Sequence, residues 1–113
     1  MASALERLKR RADFLRVAAK GRKAPVHGLV LQALVRADDA PARLGFTVTR
    51  KVGNAVVRNR ARRRLKEAAR LLLRVRPLTG VDLVLIGRDA TPTRPFAALQ
   101  DDLRRALTKV GVG

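Results

Sequence analysis

Cysteine, tryptophan and tyrosine are absent from this chain, and histidine occurs once, at His27. The missing thiols exclude disulfides, thiolate metal sites and cysteine nucleophiles. Carboxylates are scarce too: nine in 113 residues, scattered along the chain, with no spacing that reads as a general acid and base or a metal cage. No apolar run approaches the roughly 18 residues of a membrane-spanning helix, and the N-terminus has no apolar stretch of signal-peptide type. A soluble cytoplasmic protein without a membrane partner is therefore expected. His27, between Pro25 and Gly28, reads as a surface-loop residue rather than a ligand.

What the chain has in excess is positive charge. Lys and Arg number 26, for a formal net charge of +17. Such a field on a small protein attracts a polyanion. Apolar residues still make up 47% of the chain, enough to argue against disorder, and the length suits a single domain over residues 1–113. The charge is concentrated: residues 50–76 hold eleven Arg or Lys against Glu67 alone, so this segment carries ten of the seventeen net charges.

Periodicity gives the elements. Phe14, Val17 and Ala18 recur at helical spacing, so a short helix is expected over residues 11–19, stopped at Gly21. The apolar run within residues 28–37 reads as a strand, and Asp38, Asp39, Ala40 and Pro41 as a turn. Residues 43–50 alternate, with Leu44, Phe46 and Val48 on one face, which suggests a second strand forming an antiparallel hairpin with the first. A long helix follows. Asn54 is suited to cap it, Val57, Ala61, Leu65, Ala68 and Leu72 form one apolar stripe, and Arg62, Arg63, Lys66, Arg70 and Arg74 fall on the other side. Arg64 sits at the edge of the stripe, placed either to cross the core rim or to reach RNA. Pro77 and Gly80 end this helix. Residues 81–88 form an apolar strand. Phe96, Leu99, Leu103 and Leu107 then define a closing amphipathic helix, where Asp101 and Asp102 favour its dipole and do not read as a metal site. The expected class is α+β, a small and mainly antiparallel sheet packed with helices in the order α-β-β-(β)-α-β-α.

The run Lys51-Val52-Gly53-Asn54-Ala55-Val56-Val57-Arg58-Asn59-Arg60-Ala61-Arg62-Arg63 resembles the signature of the protein subunit of bacterial ribonuclease P. Asp13-Phe14, the strand residues Leu44 to Thr49, and Gly80 with Asp82-Leu83-Val84 extend the resemblance from about Leu5 to Leu107. It implies a ribosomal-protein-like domain with a left-handed β-α-β crossover, the opposite of the hand that generic rules favour. It also implies a subunit of an endoribonuclease that removes the 5′ leader of precursor tRNA. In that family catalysis belongs to the RNA partner, with magnesium bound through the RNA and no cofactor held by the protein alone. The implied partners are the catalytic RNA and precursor tRNA, with no DNA. A ribosome-associated structural RNA-binding protein is the alternative function.

By the same resemblance the RNA-binding candidates are Arg50, Lys51, Asn54, Arg58, Asn59, Arg60, Arg62, Arg63 and Lys66. Guanidinium groups fork onto phosphate oxygens, and an Asn amide can donate and accept at once. Gly53 and Asn54 also read as turn and cap, aiming the positive end of the helix at an anion. A cleft between this helix and the sheet is expected to hold the leader, lined by Phe14, Val17, Phe46 and Val48. A base could stack on Phe14 there, although core packing is the plain reading of the two strand residues. The family's second aromatic of this cleft corresponds to Ala18, so one stacking platform is missing.

Overall fold

The computed structural model describes residues 6–112. The chain runs β1 (Glu6–Arg7), α1 (Arg11–Lys20), β2 (Arg22–Pro25), β3 (Leu29–Val35), β4 (Arg43–Thr47), a 3-10 turn (Arg50–Val52), α2 (Ala55–Val75), β5 (Val81–Gly87) and α3 (Phe96–Lys109). Leu5, where the resemblance begins, lies outside the described residues. Three strands separate α1 from α2, so the optional strand of the expected order is present as β2. Strand β1 was not expected; two residues are too few for any periodicity to show.

The five strands form one sheet in the order β1-β4-β5-β3-β2. This corrects the expected hairpin: β3 and β4 do not pair, because β5 lies between them. Strand β5 runs antiparallel to β3 over seven positions and parallel to β4 over five. Its composition explains the placement. Val81 to Gly87 is apolar on both faces apart from Asp82, and six of the seven residues are buried. A strand of that kind needs a hydrogen-bonded neighbour on each side and cover on each face, which only the centre of a sheet supplies. Antiparallel register still accounts for eleven of the eighteen paired positions, so the sheet is mainly antiparallel as expected.

The two faces of the sheet are covered differently. Helices α2 and α3 pack on one, where Leu29, Leu31, Leu44, Phe46, Leu83 and Leu85 meet Ala61, Leu65, Ala68, Leu99, Leu103 and Leu107. Helix α1 covers part of the other, where Leu8, Val17 and Val84 form a smaller core with Phe14, Leu34 and Ile86 against it. Strand alternation assigns each residue to its face.

Arginine–carboxylate clusters tie the connections down. Asp82, 1% exposed, accepts from Arg36 Nη1 at 2.5 Å and from Arg43 Nε and Nη2 at 2.9 and 2.7 Å. Arg36 also donates to the carbonyls of Val81, Ala40 and Pro41, fixing the 36–43 connection to the centre of the sheet. Burial pushes the Asp82 carboxyl up, but the hydrogen bonds and charges of the two guanidinium groups outweigh it and leave it below the usual value. Asp102, fully buried, takes the same kind of cradle from Arg94 and Arg105. Thr91 Oγ1 bonds Gly28 O at 2.6 Å and receives Arg88 N at 2.8 Å, which locks the loop before α3 onto the β2–β3 turn.

Candidate nucleic-acid interface

The start of α2 is built by a turn and a cap. The 3-10 turn leaves Arg50 and Lys51 exposed, and Gly53 follows at φ 155°, outside the range that side chains favour. A Cβ at Gly53 would stand 2.8 Å from Val57 Cγ1, so glycine is needed both for the backbone angle and for the close approach of the helix. Asn54 Oδ1 then accepts from Val57 N at 3.0 Å, the expected cap. The first turn of α2 contains no acidic residue. Its uncompensated N–H groups and positive dipole end therefore face outward beside four cations: Arg50, Lys51, Arg58 and Arg60.

Beyond the first turn, the helical period sorts the side chains. Ala61, Leu65, Ala68 and Ala69 are buried under the helix, as the stripe required, while Val57 and Leu72 are half-buried at its ends. Arg60 and Arg63 are exposed and make no ion pair or side-chain hydrogen bond among the described residues. Arg58 is half-buried and donates to Gly53 O at 3.2 Å, bracing the turn that precedes the helix. Asn59 Oδ1 accepts from Arg62 Nη1 at 2.9 Å, leaving the Asn59 amide N–H groups to donate outward. A groove of about 490 Å³ runs along this face, lined by Val56, Asn59, Arg62, Arg63 and Lys66. Arg62 and Lys66 are half-buried at the flank nearest the sheet edge. Desolvation, with the charges of Arg7 and Arg62, holds the Lys66 ammonium below the usual lysine value.

The structure thus brings Arg50, Lys51, Asn54, Arg58, Asn59, Arg60, Arg62, Arg63 and Lys66 onto one end and one side of α2. Carboxylates are kept elsewhere: six of the nine are ion-paired within the connections, within α1 and α3, or with Arg70 further along α2. Arg64 leaves this face. Its guanidinium donates to the carbonyl oxygens of Thr91 and Arg94 and lies 5.8 Å from the centroid of the Phe96 ring, so it clasps the loop before α3. Of its two readings, the core rim is where it sits.

The four residues expected to line one cleft do not come together. Phe46 and Val48, 9% and 8% exposed, are packed in the main core on the face covered by α2 and α3. Phe14 and Val17 lie on the opposite face with α1. Among the described residues no cleft opens between α2 and the sheet at this point, because Ala61, Leu65 and Ala68 close directly onto it. Val17 is itself 1% exposed, which leaves Phe14 as the half-buried aromatic of the four on the α1 face. Its ring lies over Gly45, where a Cβ would stand 2.6 Å from Phe14 Cζ. Beside it, Val30, Gln32, Leu34, Thr47 and Ile86 are also only half-buried. Ala18 is exposed on α1.

One cation that sequence reasoning missed belongs to this region. Arg7, on β1, places its guanidinium 5.5 Å from the centroid of the Phe46 ring. The parallel register of β1 with β4 is the only signal that could have found it, and that is long-range information.

Comparison with known proteins gives a consistent result. A family model described as Ribonuclease P matches residues 3–111. The chain is 68% identical over 112 residues to the ribonuclease P protein component of Gluconacetobacter diazotrophicus, covering 99% of this chain and 97% of that one. It is 51% identical to the counterpart of Paramagnetospirillum magneticum, covering 98% and 86%. Among solved structures, the RNase P protein of Thermotoga maritima superposes with a TM-score of 0.78 at 30% identity, covering 93% of this chain and 97% of that one. That of Staphylococcus aureus gives 0.78 at 27%, covering 96% and 98%.

Proposed function

The chain belongs to the bacterial ribonuclease P protein family, the protein subunits of an endoribonuclease for tRNA 5′ processing; we propose that its part is to hold RNA rather than to cut it. The observation that carries this reading is the face of α2. Within residues 50–66 eight of seventeen side chains are Arg or Lys and none is acidic, and the capped helix start points the same way. Such a surface binds phosphates by releasing counterions, and its arginines add forked, directional donors. Arg50, Lys51, Arg58, Arg60, Arg62, Arg63 and Lys66 take phosphates of the catalytic RNA, and Asn59 donates to a base or ribose edge. Asn54 orients the helix. The ribosome-associated alternative finds no support among the relatives.

The substrate in this reading is precursor tRNA, with its 5′ leader on the α1 face of the sheet beside Phe14. The half-buried ring over Gly45 and the half-buried strand residues around it support that placement, and Phe46 and Val48 act from beneath as core. Magnesium is assigned to the RNA partner. Among the described residues no cluster of three or more His, Asp or Glu side chains is placed to hold an ion, and the buried carboxylates are already cradled by arginines. Charge neutralisation by the protein lets two RNAs approach at lower magnesium.

The test is cleavage of precursor tRNA by the catalytic RNA at reduced magnesium, with and without this chain. Marked stimulation is expected, with the leader as the released product. Equal rates with and without the protein would remove the proposal.

A further inference from the structure

Strand β1 is only two residues long, yet it brings opposite charges to opposite faces. Glu6 pairs in register with Arg43, on the α1 side, where Arg43 and Asp82 are already joined. Arg7 pairs with Leu44, a core residue on the α2 side, and alternation sends its side chain the same way. There it lies over the Phe46 ring, at the sheet edge next to the flank of α2 that carries Arg62 and Lys66. The ring fixes the guanidinium plane by a cation–π contact without neutralising it.

Three cations thus converge on one edge of the molecule. Among the described residues none of them has a carboxylate partner, although six carboxylates elsewhere are each engaged by an arginine. Arg62 commits one donor to Asn59 Oδ1 and keeps the rest. Lys66 is half-buried and is held below its usual value by desolvation and by both neighbouring arginines. Like charges gathered at a partly desolvated rim repel one another unless an anion sits among them. The adjoining groove along α2 is open to one.

We propose that Arg7, Arg62 and Lys66 form a seat for a single RNA phosphodiester, extending the RNA-binding surface from α2 across the edge of the sheet through β1. The inference rests on the RNA-holding function above and adds Arg7 to it as a phosphate ligand. The phosphate belongs either to the catalytic RNA or to the leader of precursor tRNA, and one experiment separates the two.

The full chain carrying Arg7→Gln or Arg7→Lys is titrated at several salt concentrations in two arms. One arm measures association with the catalytic RNA. The other measures association of the assembled holoenzyme with precursor tRNA carrying a long or a minimal leader. With Arg7→Gln the salt slope should fall by about 0.7–0.9 in one arm, so that the advantage of the unmodified chain shrinks about threefold between about 50 and 200 mM salt. Arg7→Lys should restore the slope, and the affected arm identifies the RNA. Adding Lys66→Gln to Arg7→Gln should cost less than the sum of the single changes, because both touch one phosphate. Lys23→Gln, on the opposite edge strand, should leave the slopes of both arms unchanged.

Unchanged slopes in both arms for Arg7→Gln overturn the seat, as does full additivity with Lys66→Gln. If Arg58→Ala with Arg60→Ala still lowers the slope in that case, the RNA-holding reading survives without the seat. If neither variant changes it, both fail.

Discussion

Replacing Phe14 by Leu tests whether its ring holds a base or merely fills space. The ring is half-buried between α1 and the sheet, over Gly45 and against Leu34 and Ile86. Leucine retains apolar bulk at that position, so the fold should lose no more than about 1.5 kcal/mol. A base stacked on the ring would lose about 1–3 kcal/mol, roughly fivefold to 150-fold in affinity. Gly45→Ala probes the same ring from below. Its Cβ would stand 2.6 Å from Phe14 Cζ, whereas carbon atoms in contact prefer about 3.5–4.0 Å, so the ring must lift by about 1 Å or tilt. The assay compares holoenzyme affinity for precursor tRNA with and without an extended leader. Phe14→Leu should abolish most of the leader-dependent increment while leaving affinity for the mature tRNA body unchanged, and Gly45→Ala should reduce the increment in part. If the increment is the same in Phe14→Leu as in the unmodified chain, Phe14 is a core residue and the leader lies elsewhere.

Arg64→Met should destabilise the fold by about 1–3 kcal/mol by stranding the carbonyls of Thr91 and Arg94, yet leave the salt slope of RNA association unchanged. A melting curve paired with a binding titration checks both, and a fall in slope would place Arg64 on the RNA. The carboxyls of Asp82 and Asp102 lie below the usual 3.8 because guanidinium hydrogen bonds overcome burial. A group depressed in the folded state stabilises above its unfolded value and loses that contribution as pH falls through the folded one. Stability should therefore be full at neutral pH and decline below about pH 4, and Asp102→Asn should flatten that decline while costing about 3–5 kcal/mol at neutral pH. Acid unfolding of the two proteins measures it; identical acid limbs would show that Asp102 is not the titrating group.

Helix α2 was legible in the sequence because its signals are local. The apolar stripe repeats at helical spacing for five positions, Asn54 is a capping residue in place, and the opposing arginines fall where 100° steps put them. The pairing of strands was not local. Residues 29–35 and 43–47 are neighbours in sequence, but β5 arrives 34 residues after β4 and takes the place between them. Its continuous apolar run was the available clue, since a strand buried on both faces belongs at the centre. The cleft failed for a related reason. Alternation correctly put Leu44, Phe46 and Val48 on one face, but nothing in a period of two says which face α1 will cover. Phe14 and Phe46 are consequently separated by the sheet. Arg7 was invisible for want of length, because a two-residue strand acquires its direction only from the register it adopts with β4.

The account depends most on α2 presenting its arginines to the catalytic RNA, and a salt titration of that association measures it directly. Arg58→Ala with Arg60→Ala removes two charges from the start of α2, and Arg104→Ala with Lys109→Ala removes two from the exposed side of α3. The α2 pair should weaken association and lower the slope by about 0.7–0.9 for each phosphate no longer neutralised, while the α3 pair leaves the slope where it was. Failure of the chain to associate at moderate salt, or equal slope changes from the two pairs, would contradict the account.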